Sequence, residues 1–233
     1  MMKTQATHSP KNNVVYLFSN KSVLENKQNK IVRIAPELDG LEMLYTNDAT
    51  PGNLYSLKIV CWGLRENGDV VGMVPWLNKI VACSEINDPL NGSWEGYRDP
   101  GIDDVFYEAP RHKVVELQTA ADYYKFVPGA EDEIVQEVPD MIGTHAVLST
   151  DKNDRFLLIE VLSWRLLANG EIQAMIIDED KVQNTPVLLG DPSLYCVQTC
   201  HNFKYFFQHR IANKIKAQDP DALAAISLLM DPK

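Results

Sequence analysis

Apolar positions along this chain come in short runs separated by turn formers, and one such pattern occurs twice. Lys58–Val74 reads KIVCWGLRENGDVVGMV, and Glu160–Ile176 reads EVLSWRLLANGEIQAMI. At an offset of 102 residues, Trp62 matches Trp164, Leu64 matches Leu166, Asn67-Gly68 matches Asn169-Gly170 and Met73 matches Met175. The match extends to Lys79-Ile80 against Lys181-Val182 and, after a one-residue slip, to Asp88-Pro89 against Asp191-Pro192. Each copy is an apolar run, an Asn-Gly and a second apolar run, which is the strongest short-range hairpin signal. A two-residue type I′ turn centred on Asn-Gly would set Trp62 across from Met73 and Trp164 across from Met175. The other face would then carry the small residues Cys61, Gly63 and Gly72, with Ser163 and Ala174 in the second copy.

Helical spacing is read elsewhere. Leu117, Ala120, Ala121 and Tyr124 predict a helix over 116–127, stopped by Pro128-Gly129. Phe203, Phe206, Phe207, Ile211 and Ile215 predict its counterpart over 202–217, with Asn202 as N-cap. Asp219-Pro220 opens a last helix carrying Leu223 and Ile226, and a short helix is expected over 131–138. Further strands are expected at Val14–Ser19, Lys30–Ile34, Lys79–Ser84 and His145–Ser149. The expected architecture is therefore α+β: antiparallel β-hairpins with segregated helices, in two similar halves related by internal duplication. A polar leader and first strand (1–19) would precede repeats at 20–128 and 129–233, packed as one pseudo-symmetric unit.

Composition narrows the partners more than the fold. With 22 Lys and Arg against 32 Asp and Glu, the formal net charge of −10 disfavours nucleic acid and anionic membranes. No apolar run reaches the roughly 18 residues that span a bilayer, and the N-terminus lacks the apolar core of a secretory signal. Four cysteines (Cys61, Cys83, Cys196, Cys200) are too few for a disulfide framework at this length. A soluble cytoplasmic protein without a cofactor is expected.

Phosphate-binding, dinucleotide, nucleophile-elbow and zinc-protease signatures are absent. Three features bear chemistry nonetheless. The long segment Asn87–Asp104 reads as a loop whose Trp94, Tyr97, Arg98 and Asp99 are residue types suited to ligand binding. His145, followed by Ser149, Thr150, Asp151 and Asp154, carries the elements of a general base. Cys196, Cys200, His201 and His209 form the densest soft-ligand cluster, although Cys200 and His201 are adjacent and depart from zinc spacing. The favoured reading is a non-enzymatic ligand- or protein-binding protein, its small-molecule or protein partner unspecified. The alternatives are a metal-assisted hydrolase using His145 or Cys200/His201/His209, and a structural subunit of a homo-oligomer whose hairpin edges pair with another copy.

Overall fold

The computed structural model describes residues 30–48, 51–88, 92–123, 130–150, 156–177 and 193–208. In chain order its first-half strands are β1 (Ile31–Pro36), β2 (Glu42–Thr46), β3 (Tyr55–Lys58), β4 (Cys61–Arg65), β5 (Val70–Trp76), β6 (Lys79–Ala82), β7 (Asn87–Asp88), β8 (Gly92–Asp99) and β9 (Asp104–Phe106). Helix α1 (Arg111–Tyr123) follows, and then β10 (Ile134–Pro139), β11 (His145–Ser149), β12 (Phe156–Glu160), β13 (Ser163–Leu167), β14 (Ile172–Ile177), β15 (Leu194–Cys196) and β16 (Phe203–Phe207). They make four small antiparallel sheets in a propeller-like ring. The α+β expectation with segregated helices is overturned: the described chain is mostly β, with one α-helix.

Two of the expected helices are strands. The segment 131–138 becomes β10, whose β-branched Ile134 and Val135 suit a strand paired along β13. The aromatics at 203, 206 and 207 sit in β16, paired with β11 through a register shift between Val147 and Leu148. The shift brings residues three apart together, so Phe203 and Phe206 meet edge-on with centroids 4.9 Å apart, neighbours as they would be on a helix. A bulged strand thus mimics helical periodicity. The helix expected at 116–127 is present but starts earlier, at Arg111, where the Pro110 carbonyl accepts the Lys113 and Val114 N–H groups. The strands at His145–Ser149, Lys30–Ile34 and Lys79–Ser84 are found close to their expected bounds. The strand at 14–19, the helix from Asp219, residues 209–217 and the segment 181–182 lie outside the described residues.

Both Asn-Gly hairpins form, with a register one residue from expectation. Cys61 faces Met73 and Trp62 faces Gly72; Ser163 faces Met175 and Trp164 faces Ala174. The cause is the turn. Gly68 N–H donates to the Arg65 carbonyl, Arg65 N–H donates to the Asp69 carbonyl, and Gly68 takes the positive φ while Asn67 does not. The loop is therefore three residues long, with glycine in the left-handed position and the Asn67 side chain accepting the Asp69 N–H. Leu167, Asn169, Gly170 and Glu171 repeat every one of these bonds. Each Trp consequently shares a face with a small residue across the strand, and the Met points to the other side.

The sheets β1-β4-β5-β6 and β10-β13-β14-β15 share their strand order. They also share a bulge in the first strand, between Ile31 and Arg33 and between Ile134 and Gln136. The third hairpin strand departs from the sequence match. Ala82 pairs with Met73 and Cys196 with Met175, so the offset grows from 175 − 73 = 102 to 196 − 82 = 114. The sheets β3-β2-β8 and β12-β11-β16 correspond in the same way, with β7 and β9 added only to the first. Trp62 and Trp164 are fully buried, and each removes roughly 200 Å² from water, worth about 5 kcal/mol before ordering entropy. Each indole N–H donates to a carboxylate on the preceding loop, Glu37 for Trp62 and Asp140 for Trp164. Two glutamine amides join the sheets by replacing a strand edge: Gln136 bonds both N–H and C=O of Ile34, and Gln208 does the same for Lys58. Among the described residues no helix is long and apolar enough to cross a membrane.

Candidate functional site

The segment expected to be a loop is the strand pair β7–β8, and β8 lies inside its sheet between β2 and β7/β9. A register shift against β2 between Leu44 and Tyr45 brings Trp94 and Tyr97 together at 5.5 Å. This is the arrangement of Phe203 and Phe206 in β16. Tyr97 and Phe206 also hold matching places beside the two buried indoles, at 5.1 and 5.9 Å. Tyr97 is 2% exposed, and its hydroxyl accepts the Gly72 N–H at 3.0 Å. Burial pushes its phenol well above the ordinary value of 10. A side chain added at Gly72 would lie 2.9 Å from the Tyr97 ring, so glycine is what lets the ring approach. Tyr97 is therefore bound into the fold.

Arg98 carries its charge to the buried carboxylate of Glu42, 2.6 Å away, with Asp103 at 4.0 Å. Asp99 accepts the Gly101 N–H and shapes the turn that follows. Of the four residues singled out by sequence, two adjoin large exposed apolar groups: Tyr107, 68% exposed, meets Trp94 edge-on at 6.3 Å, and Val105 pairs with Arg98 across the strands.

Sequence reasoning missed the face beside them. Ile102, Val105 and Tyr107 are all exposed, and Val105 Cγ1 and Tyr107 Cε1 flank the open side of Gly96 at 3.2 and 3.3 Å from where its Cβ would be. Both thus lie on one side of β8. Their i, i+2 spacing was the available signal, but the loop reading stopped at Asp104, short of both. The hairpin and its flanks are rich in acids: residues 92–108 hold Glu95, Asp99, Asp103, Asp104 and Glu108 against the one cation Arg98, which Glu42 engages.

The other expected clusters are spread out. His145 opens β11, opposite Glu160 and Phe207, with Nδ1 3.0 Å from the Gly143 carbonyl oxygen. Ser149 ends the same strand, about 13 Å away at strand rise, and its hydroxyl donates to the Asn202 carbonyl. Asp151, Asp154 and His209 lie outside the described residues. Cys200 and His201 fall between a 3-10 turn (Val197–Thr199) and β16. Burial raises the thiols of Cys61, Cys83, Cys196 and Cys200, which disfavours the thiolate that nucleophilic attack or metal ligation uses. Among the described residues no group of three or more His, Cys, Asp or Glu could hold a metal ion. No protein-family model matches the chain, and neither a curated protein nor a solved structure matches it significantly.

Proposed function

We propose that the chain is a non-enzymatic binding protein, and that the exposed face of the β8–β9 hairpin is where it takes a protein partner. One observation carries this reading: the large apolar side chains of Val105, on the added strand β9, and Tyr107, just past its end, stand in solvent side by side over Gly96, with exposed Ile102 in the turn before the strand. Scattered exposed apolar residues need no explanation, whereas a contiguous group at a sheet margin is characteristic of an interaction surface. The ring behind it supplies rigidity, and Trp94 backs the patch. On this reading the chain works as one body of two halves, 20–128 and 129–233, behind a polar leader, in a reducing compartment such as the cytoplasm. The net charge of −10 supports a protein partner over nucleic acid or an anionic membrane.

Selection of random displayed peptides against the full chain tests this. Recovered peptides are expected to lose most of their affinity for the Val105→Ser and Tyr107→Ser variants. Both substitutions replace exposed side chains, so the melting temperature should move by no more than about 2 °C. Peptides that bind both variants as tightly as the parent chain would sink the reading.

A further inference from the structure

Resting on that reading, we propose that the occupant of the β8–β9 face is an extended protein segment in which apolar and basic side chains alternate. Charge complementarity selects the basic residues. Glu95, Asp99, Asp103, Asp104 and Glu108 lie on the same hairpin or directly flank it in the chain, and the one cation in residues 92–108, Arg98, is already held by Glu42. The extended form follows from the strand. β9 pairs with β8 alone among the described residues, leaving its other side as a sheet edge.

That edge is closed by its own chain. The Val105 N–H donates to the Asp104 carboxylate at 3.0 Å, a blunting device that discourages indiscriminate strand pairing. A lysine or arginine arriving beside Asp104 competes for the same carboxylate. Once Asp104 turns to that cation, the Val105 N–H is free to donate to a carbonyl of the incoming strand. Alternate side chains of the strand then fall on Val105 and Tyr107, as in strand addition to other sheets. An acidic segment would be repelled by the margin and would leave the Asp104 cap in place. The carboxylate thus makes strand addition conditional on a basic partner, which is specificity achieved by a closed default.

Three fluorescently labelled octapeptides test this by anisotropy against the full chain: alternating valine–lysine, valine–serine and valine–glutamate. The valine–lysine peptide is expected to bind most tightly, and its affinity to fall as salt shortens the screening length. The doubly substituted Asp103→Asn/Asp104→Asn chain should bind it about five- to tenfold more weakly, the scale of two exposed ion pairs. Tyr107→Ser should weaken it as well. If the valine–serine peptide binds equally well and still responds to Tyr107→Ser, the basic partner is overturned while the face stands. Binding of the lysine peptide that ignores both Val105→Ser and Tyr107→Ser overturns the face itself. Failure of all three peptides to bind overturns the alternating occupant.

Discussion

The sheets β1-β4-β5-β6 and β10-β13-β14-β15 share one backbone and carry different chemistry on it. Strand order, bulge, three-residue turn and indole–carboxylate anchor recur in both. The amide of the residue facing each Trp must find an acceptor, and it does so by different means: the Tyr97 hydroxyl takes the Gly72 N–H, whereas the Gln198 amide takes the Ala174 N–H. On the other face, the places of Ile34, Cys61 and Gly63 are held by Glu137, Ser163 and Arg165. There the Ser163 hydroxyl donates to Glu137, and Arg165 grips the second carboxylate oxygen through Nε at 3.1 Å and a terminal nitrogen at 3.0 Å. Local bonds at the turn and the anchor specify the backbone; the faces are free to vary provided each buried polar group is satisfied.

The polar face should break first. Arg165→Ala leaves the Glu137 carboxylate, 7% exposed, without its guanidinium partner, and should cost about 3–5 kcal/mol in urea unfolding. Grafting the first sheet's residues instead (Glu137→Ile, Ser163→Cys and Arg165→Gly together) removes every charge at once and should cost far less than the single change. A triple variant as unstable as Arg165→Ala would mean that the charges do more than satisfy one another.

The turns come next, because equal conformations sit in unequal surroundings. Gly68 and Gly170 have φ of 92° and 91°. A Cβ at Gly68 meets nothing within 4 Å, whereas one at Gly170 lies 2.8 Å from Lys30 Cγ, 3.1 Å from Ile31 N and 3.2 Å from Ile31 O. Gly68→Ala should therefore cost about 1 kcal/mol, the backbone term alone. Gly170→Ala adds a backbone collision where β1 meets the second turn, for about 2–4 kcal/mol in total. Equal losses of melting temperature would show that the contact with β1 gives way freely.

These two turns also mark how much could be read from sequence. The hairpins were legible because Asn-Gly between apolar runs has few alternatives, and the strand His145–Ser149 was legible from its β-branched and apolar content. Register was not, since two- and three-residue loops use the same dipeptide and differ by one residue in pairing. The α+β expectation failed at Phe203, Phe206 and Phe207 because a bulge shifts a strand's phase, giving residues three apart a common neighbour. Trp94 and Tyr97 share that geometry, which is why aromatics that resembled a binding loop are built into a sheet. The spacing of Val105 and Tyr107 could mark one side of a strand, but that this side faces solvent depends on how β9 folds back on Gly96, a tertiary fact.

The smallest effect concerns the second sheet's indole anchor and is read through pH. Asp140 accepts the Trp164 N–H and both the N–H and hydroxyl of Thr144, yet burial outweighs these bonds and raises its carboxyl above the ordinary 3.8. A raised folded-state value means that the folded chain binds the proton more tightly than the unfolded one. Between pH 3.8 and that higher value the folded state holds more protons, so this group's contribution to stability declines as pH rises and is least at neutrality. Asp140→Asn keeps an oxygen for Trp164 and removes the titration, while placing an amide donor near the Thr144 N–H at a cost that does not vary with pH. Subtracting the variant's unfolding free energy from the parent's, across pH 3.5 to 7, should therefore give a difference that falls with rising pH. A flat difference would mean that the hydrogen bonds at this anchor balance its burial, and a rising one that they outweigh it.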